Sequence, residues 1–434
     1  MLSEFHIGID DTDSLLSGCT TFTAAVIFEE LVDRGFSPLG FPWLIRLNPN
    51  IPWKTRGNAA LSLHFSLEDG QLDEVKEIAV AIVERTSDVS QEKTDPAIVF
   101  LKGPVPPSVH EFYQRALHDV LSVGEARRVA TSARTENRLF KGSQGLVGAL
   151  ASIGAILGRD HTYEIIAYRT PENVGTTRRV DLDSIREMDS KFGGWTFNNI
   201  DLETGRVLIC PHGPDPVLLG IRGADPIMIK RAFDQVQVDE PIERFTIFKS
   251  NQGTGAHLDC RRRIGELRPY QSTVVTGKTC GTPQLIRGGH VIFQVRDETG
   301  CIDCAAYRST GKVRDAASKL IPGDSVVVSG GVRPRLPGRM TLNVEVLEVT
   351  ELVDAIRLTN PPCSICGAGC ESMGKGQGFR CRKCGARLPR TSAVRKIAPR
   401  NITKGIYLPP FRANRHLSRP NLKEPNSLLL SDMN

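Results

Sequence analysis

Cys363 and Cys366 are separated by two residues, as are Cys381 and Cys384, and fourteen residues lie between the pairs. Two such knuckles bring four thiolates around one tetrahedral Zn²⁺, so this spacing predicts a structural zinc ribbon. Gly367 and Gly385 follow the knuckles and let the backbone turn beneath the metal. Cys370 is a spare thiol nearby. Cys301 and Cys304 share the spacing but have no second pair. They follow Glu298-Thr299-Gly300 on a predicted hairpin, where alternation points them to opposite faces, so they are read as non-ligands.

The ribbon lies in a basic region. Residues 360–434 carry 14 Lys/Arg and 3 Asp/Glu, a net of +11, while the rest of the chain carries 41 and 46, a net of −5. A basic end on a slightly acidic body points to an anionic polymer docking there, and Tyr407 and Phe411 add aromatic surface. A merely solvated tail is the alternative.

The 434 residues suffice for about three domains. No apolar run of transmembrane length occurs, and Met1 to Ile9 lacks the pattern of a signal peptide. Eleven cysteines, an odd number, suit a reducing compartment. The expected location is the cytoplasm.

Elements alternate through the first 265 residues. Strands are predicted at His6 to Ile9, Leu44 to Leu47, Ala59 to Phe65, Ala97 to Leu101, Glu164 to Tyr168 and Arg244 to Lys249. Helices are predicted at Thr20 to Asp33, Leu72 to Glu84, Glu111 to Leu121, Leu146 to Leu157 and Ile227 to Val236. Asn48 to Trp53 reads as a rigid turn, and Pro211 to Gly223 as a Gly/Pro-rich stretch. This rhythm implies mixed α/β architecture. From about Pro269, five short β-runs and a helix-like segment, Lys312 to Leu320, fit an OB-type barrel, which binds single strands. No internal repeat is visible. Each module alone could equally dock a protein; together they favour nucleic acid.

The first predicted strand ends in Asp10, Asp11 and Asp13. Three carboxylates so close repel unless a cation sits among them, and oxygen ligands suit Mg²⁺, which also holds phosphates. Asp13-Ser14 could instead start a turn or cap a helix. Gly18-Cys19-Thr20-Thr21 stands at a predicted helix start, where phosphate is favoured and a hydroxyl can bond or accept one. Lys141-Gly142-Ser143-Gln144-Gly145 is a second phosphate candidate, without Walker spacing. It could also be a tight loop packed on a helix.

These features resemble one family, the archaeal tRNA(isoleucine) 2-agmatinylcytidine synthetases (TiaS). The resemblance rests on Gly8-Ile9-Asp10-Asp11-Thr12-Asp13-Ser14, Cys19-Thr20-Thr21, Ile45-Arg46-Leu47-Asn48-Pro49-Asn50-Ile51-Pro52 and Lys54-Thr55-Arg56-Gly57-Asn58. It continues through Gly145 to Ala151, Ala167-Tyr168-Arg169, Gly220-Ile221-Arg222-Gly223, Gly289-His290-Val291, Gly376 to Cys381 and Arg415-His416-Leu417-Ser418. Ser143-Gln144 departs from the family, which usually has a basic residue between the glycines, and Cys301 lacks a counterpart.

The resemblance implies a multidomain α+β fold. A kinase-like catalytic domain (about 1–60 and 138–200) would interleave with a ferredoxin-like domain within residues 1–265. An OB barrel (270–352), a zinc ribbon (360–390) and a basic tRNA-binding tail (391–434) would follow. The implied activity is ATP-dependent attachment of agmatine to the wobble cytidine of the isoleucine tRNA with a CAU anticodon, so that it reads AUA in place of AUG. The implied chemistry phosphorylates the ring oxygen, and agmatine then displaces phosphate. Thr20 matches a threonine that becomes phosphorylated, Asp10, Asp11 and Asp13 would hold Mg²⁺ with ATP, and ATP would end as AMP and phosphate. The tail, ribbon and barrel would grip the tRNA away from the chemistry, at its acceptor stem. Asp215 is a candidate contact for agmatine.

Overall fold

The computed structural model describes residues 2–14, 18–54, 57–336 and 338–420. Thr55, Arg56 and the last part of the expected tail, 421–434, lie outside them.

The first strand, Leu2–Asp10, is buried on both faces. Phe5, Ile7 and Ile9 join a core under helices Thr20–Asp33 and Leu72–Thr86. The opposite face is covered by helix Gly145–Ile153, built of small residues. Its closeness has a cause: a Cβ on Gly8 would overlap the carbonyl oxygen of Ala149. Ser152 Oγ donates to Leu61 O at 2.9 Å, tying the helix to the neighbouring strand Ala59–Glu68.

The sheet has ten strands and two halves of one plan. Strands Leu2–Asp10, Trp43–Arg46, Ala59–Glu68 and Ala97–Lys102, with two helices between them, form a βαββαβ unit in spatial order 4-1-3-2. Strands Thr162–Arg169, Thr196–Phe197, Val217–Gly223 and Ile242–Ser250, with helices Leu182–Phe192 and Pro226–Phe233, repeat that order. Pairing within each half is antiparallel. The halves meet at a short parallel seam, Lys249 opposite Trp43 and Ser250 opposite Leu44.

The structure therefore contains a repeat of topology that no sequence repeat revealed, because unrelated residues satisfy the same burial pattern. Of the stretch 138–200, helix Gly145–Ile153 packs on the first half, while strands Thr162–Arg169 and Thr196–Phe197 belong to the second. Val217–Gly223 is a strand although it was read within a Gly/Pro-rich stretch. Its Gly220 fits there because a Cβ would stand 2.8 Å from Glu164 Oε1.

Arg169, from the family-like motif, is 1% exposed. It holds Glu240 with Nε–Oε1 at 2.6 Å and Nη2–Oε2 at 2.8 Å. This buried bidentate pair ties the second half together.

The barrel uses strands Ser272–Ile286, His290–Arg296, Cys301–Ala306, Ser325–Leu336 and Arg339–Glu351. It closes through a parallel pairing of Asp303–Ala305 with Thr341–Asn343. Cys304 faces the core and Cys301 solvent, as alternation requires. Cys301 Sγ instead lies 3.3 Å from Cys280 Sγ, a pairing that spacing did not reveal.

The turn at Asn48–Asn50 fastens barrel to sheet. Asn48 Nδ2 donates to Tyr270 O at 2.9 Å, Ser272 Oγ donates to Asn48 Oδ1 at 2.9 Å, and Asn50 Nδ2 donates to Ser272 Oγ at 2.9 Å. Both asparagines are buried, so these bonds satisfy groups that would otherwise be costly to desolvate.

A two-stranded neck, Ala355–Thr359 with Val394–Ala398, carries the ribbon away from the barrel. The chain then returns. Arg400 clasps Asp324 at 2.6 Å, Gly405–Tyr407 adds a strand to the barrel, and Arg412 Nη1 reaches Asp201 Oδ1 at 3.0 Å. Gly253 N donates to His416 O at 2.9 Å and Gly255 N to Leu417 O at 2.7 Å. Up to residue 420, the region expected as a distal basic tail is a strap laid back over the body. Several of its cations have acidic partners far away in sequence, which a local charge count cannot register.

Candidate active site and metal centre

A cleft of about 840 Å³ opens where the two sheet halves, the turn after Arg46 and the C-terminal strap meet. It falls within the size range of small-molecule sites. One wall is acidic. Asp10 ends the first strand, Asp11 follows with φ +60, and Asp13 lies beyond. A non-glycine residue in the left-handed region is strained, and here the turn holds the acids together. Asp11 N donates to Asp10 Oδ1 at 2.7 Å.

Asp95 completes this wall, and sequence reasoning missed it. The register that pairs Asp10 with Ala97 brings it there from more than eighty residues away. Burial, followed by the charges of Asp95 and Asp13, pushes the Asp11 carboxyl up to about 7. Burial and then Asp11 raise Asp10 well above the usual carboxylate range. Such mutual repulsion marks this wall as strongly acidic, although among the described residues only the ribbon cysteines gather three or more ligand atoms close enough for one ion.

Gly148 lets the wall exist. A Cβ there would overlap the Asp10 carboxylate, so only glycine allows helix Gly145–Ile153 to pass behind it.

Thr20 begins helix Thr20–Asp33. Its backbone N–H donates to Asp13 Oδ1 at 2.5 Å and its Oγ1 donates to the same oxygen at 2.9 Å. Asp13 therefore caps the helix from the preceding loop, and one carboxylate both anchors the helix and accepts from the hydroxyl. Capping and chemistry, posed as alternatives from the sequence, are compatible here.

The structure does not bring Lys141, Gly142 or Gly145 to the cleft wall as a phosphate cradle. Lys141 Nζ donates to Gln91 O at 2.7 Å, and Gly142 N and Gln144 N donate to the Asp95 carboxylate at 2.6 and 2.8 Å. The Gly145 N–H goes to Asp95 O at 3.2 Å. Gly145 is small for packing, since a Cβ would stand 2.6 Å from Asp95 O and 2.9 Å from Ala97 N. Two of the loop's amides thus bond the Asp95 carboxylate and orient it.

The opposite wall is built from Arg46, Glu164 and Arg222, with buried Gln252 behind it. Arg46 Nε donates to Gln252 Oε1 at 3.1 Å, Gln252 Nε2 donates to Glu164 Oε2 at 2.5 Å, and Arg222 Nε stands 2.9 Å from Glu164 Oε1. Asn251 clamps the Arg46 backbone, accepting from its N–H at 2.8 Å and donating to its carbonyl at 2.9 Å. Desolvation in this wall lowers the Arg46 pKa to about 10. Trp53 presents a half-exposed ring to the same cleft. Asp215 also lines it, but Asp215 Oδ1 lies 3.2 Å from Arg178 Nη2 and accepts from Val217 N at 3.1 Å.

The metal centre is separate. The sulfurs of Cys363, Cys366, Cys381 and Cys384 all lie within 4.8 Å of one another. Cys366 Sγ is 3.4 Å from Cys381 Sγ and 3.5 Å from Cys384 Sγ, and Cys363 Sγ is 3.6 Å from Cys384 Sγ. Sulfurs about 2.3 Å from one tetrahedral zinc stand about 3.8 Å apart, so the four fit that ion. Lys383 N and Cys384 N point at Cys381 Sγ, at 3.3 and 3.4 Å, as a thiolate would require. Cys370 is buried beside the group but outside it.

Comparisons with known proteins agree with this layout. The TiaS TCKD domain model matches residues 6–78, the TiaS FLD domain model 143–257, an OB-fold nucleic acid binding domain model 275–350 and the TiaS C-terminal zinc ribbon domain model 360–402. The 2-agmatinylcytidine synthetase TiaS of Pyrococcus horikoshii, which acts on the second isoleucine tRNA, is 42% identical over 415 residues, 96% of each chain. That of Thermofilum pendens is 41% identical, covering 96% of this chain and 95% of the relative. Two solved structures superpose over nearly the full length. One is a complex of TiaS with that isoleucine tRNA and ATP (TM-score 0.85, 36% identity, 96% and 97% of the two chains). The other is a complex of TiaS with the same tRNA, AMPCPP and agmatine (0.82, 34%, 98% and 99%). With this agreement along the whole chain, the protein belongs to the tRNA(isoleucine) 2-agmatinylcytidine synthetase (TiaS) family.

Proposed function

We propose that this chain is a carbon–nitrogen ligase that attaches agmatine to the wobble cytidine of the AUA-reading isoleucine tRNA at the expense of ATP. Full-length kinship with proteins of that name supports the reading, as do related structures holding the isoleucine tRNA, ATP or its analogue, and agmatine. The observation that carries it is the bond from Thr20 Oγ1 to Asp13 in a cleft walled by acids. No helix among the described residues is long and apolar enough to cross a membrane, and a tRNA substrate supports a cytoplasmic location.

The cytosine ring carbonyl oxygen is a very poor leaving group. Phosphoryl transfer from ATP to that oxygen turns it into phosphate. The free amine of agmatine then attacks the ring carbon, the carbon–nitrogen bond forms, the carbon–oxygen bond breaks, phosphate departs and the nitrogen gives up a proton. Asp10, Asp11, Asp13 and Asp95 would hold Mg²⁺, which when bound neutralises triphosphate charge. Asp13 orients the Thr20 hydroxyl and is placed to take its proton if Thr20 accepts a phosphoryl group. Arg46 and Arg222 oppose the acids and offset charge that builds on transferring oxygens. Trp53 offers a face on which an everted base can stack. In this reading the Asp10, Asp11, Asp13 and Thr20 side chains carry the chemistry, and positioning supplies most of the rate.

The test is the mass of the wobble nucleoside after incubation of the tRNA with ATP and either agmatine or putrescine. A gain equal to agmatine less water is expected. A gain with putrescine and none with agmatine overturns the proposal.

A further inference from the structure

His416 lines the cleft although it belongs to the C-terminal strap, far beyond the strand that ends in Arg46. Its ring meets the Arg46 side chain over Gly57. A Cβ on that glycine would overlap Arg46 Nη1 and stand 3.0 Å from His416 Cδ2 and 3.1 Å from its Nε2. The other ring nitrogen, Nδ1, is buried and has no hydrogen-bond partner among the described residues.

One short segment, Asn251 to Gly255, holds both side chains in place. It follows the strand that forms the parallel seam. On one side Asn251 fixes the Arg46 backbone and Gln252 accepts from its Nε. On the other, Gly253 N donates to His416 O at 2.9 Å and Gly255 N to Leu417 O at 2.7 Å. Gly253 and Gly255 take φ of +70 and +77, which glycine adopts without strain. Leu417 is buried, and Arg419 Nη2 donates to Thr254 O at 2.5 Å. The His416 ring is therefore carried on a tightly held backbone.

Charge explains why a histidine suits this place. Arg46, then desolvation, then Arg222, Lys54 and Arg415 hold the imidazole far below its ordinary range, so it is neutral. A neutral ring fills the space beside the Arg46 guanidinium without repelling it, where a second fixed cation would push it away.

We propose that His416 is a positioning residue, which packs on Arg46 and holds its guanidinium in the cleft opposite the acids, so that the C-terminal strap completes the catalytic site. The inference rests on the reading that Arg46 offsets charge on transferring oxygens. The ring could instead take the proton of the attacking amine. Its place among four cations favours positioning, because a further positive charge is unwelcome there.

The test is steady-state agmatine addition to the tRNA by the full-length protein. His416→Ala should lower kcat about tenfold, less than the roughly 100-fold cost of an ångström's misplacement, because Gln252 still holds Arg46 Nε. The KM for tRNA and the melting temperature should stay near wild type. His416→Asn, neutral and of similar reach, should recover most of the rate, and His416→Arg, which adds a like charge, should fall below His416→Ala. Arg46→Lys combined with His416→Ala should be no slower than Arg46→Lys alone, since the ring acts through the guanidinium. Losses that multiply in this cycle overturn the proposal, as does a raised KM at unchanged kcat. A His416→Asn protein as slow as His416→Ala would assign the ring to proton transfer and overturn it too. A wild-type protein that consumes ATP with the tRNA yet adds no agmatine would sink the reading of function, and the same cycle read on ATP consumption still decides the role of His416.

Discussion

Asp13 Oδ1 accepts both the backbone N–H of Thr20, at 2.5 Å, and its hydroxyl, at 2.9 Å. A helix cap and a possible phosphoryl acceptor thus share one oxygen. Thr20→Ala and Asp13→Asn are both expected to abolish agmatine addition, while Thr20→Ser keeps a measurable part of it. Thr20→Ala retains the backbone cap and should melt within a few degrees of wild type. Asp13→Asn weakens the cap by about 1 kcal/mol. Full turnover by Thr20→Ala in a nucleoside mass assay would remove the hydroxyl from the mechanism.

Gly148 lies directly behind the Asp10 carboxylate. Gly148→Ala should displace that carboxylate by about an ångström and lower kcat by about 100-fold, the cost of misplacing a catalytic group. Its tRNA affinity should match wild type, because the change is confined to the wall behind Asp10. Equal loss of affinity and rate would show that the helix, not the carboxylate, moved.

His64 and His6 form a buried pair with Nδ1 atoms 2.7 Å apart, and Trp43 packs on His64. Burial and then His6 lower the His64 pKa to about 3. Below the ordinary value of about 6.5 the unfolded chain takes up a proton that the folded one refuses. Stability contributed by this group is therefore full above about pH 6.5 and falls as the pH drops toward 3, by up to about 1.4 kcal/mol per pH unit. Urea melts at pH 7, 6 and 5 should show a shallower acid loss for His64→Gln. An identical slope would assign the acid sensitivity to other groups.

The ribbon has a small core of its own, Cys363, Cys370, Phe379 and Cys381, apart from the large cores. Cys381→Ser should lose zinc, measured by native mass spectrometry, and weaken tRNA binding at least tenfold. The main melting transition should move little, since the sheet and barrel cores do not include the ribbon. Loss of that transition together with zinc would show the ribbon to be part of the body's stability.

The ribbon, the barrel and the helix Thr20–Asp33 were legible in the sequence because each is written locally. Two cysteine knuckles, five alternating runs and one amphipathic stretch carry their own periodicity. Asp10, Asp11, Asp13 and Thr20 were legible as well, since they share one short stretch around a strand end. Asp95, Glu164, Asn251 and Gln252 were not, because nothing near them in sequence marks them. Strand register and the parallel seam, Lys249 opposite Trp43 and Ser250 opposite Leu44, bring Asp95 and Glu164 to the cleft and set Asn251 and Gln252 behind it against Arg46. The same holds for the strap. Composition saw the excess positive charge of the C-terminal region, but only the fold shows Arg400, Arg412 and Arg415 set against Asp324, Asp201 and Glu345. The sequence by itself determined the local elements and the metal knuckles, whose physics lies in short spacings. The tertiary structure decided which distant charges share a wall, because pairing energies act through space and leave no trace in spacing.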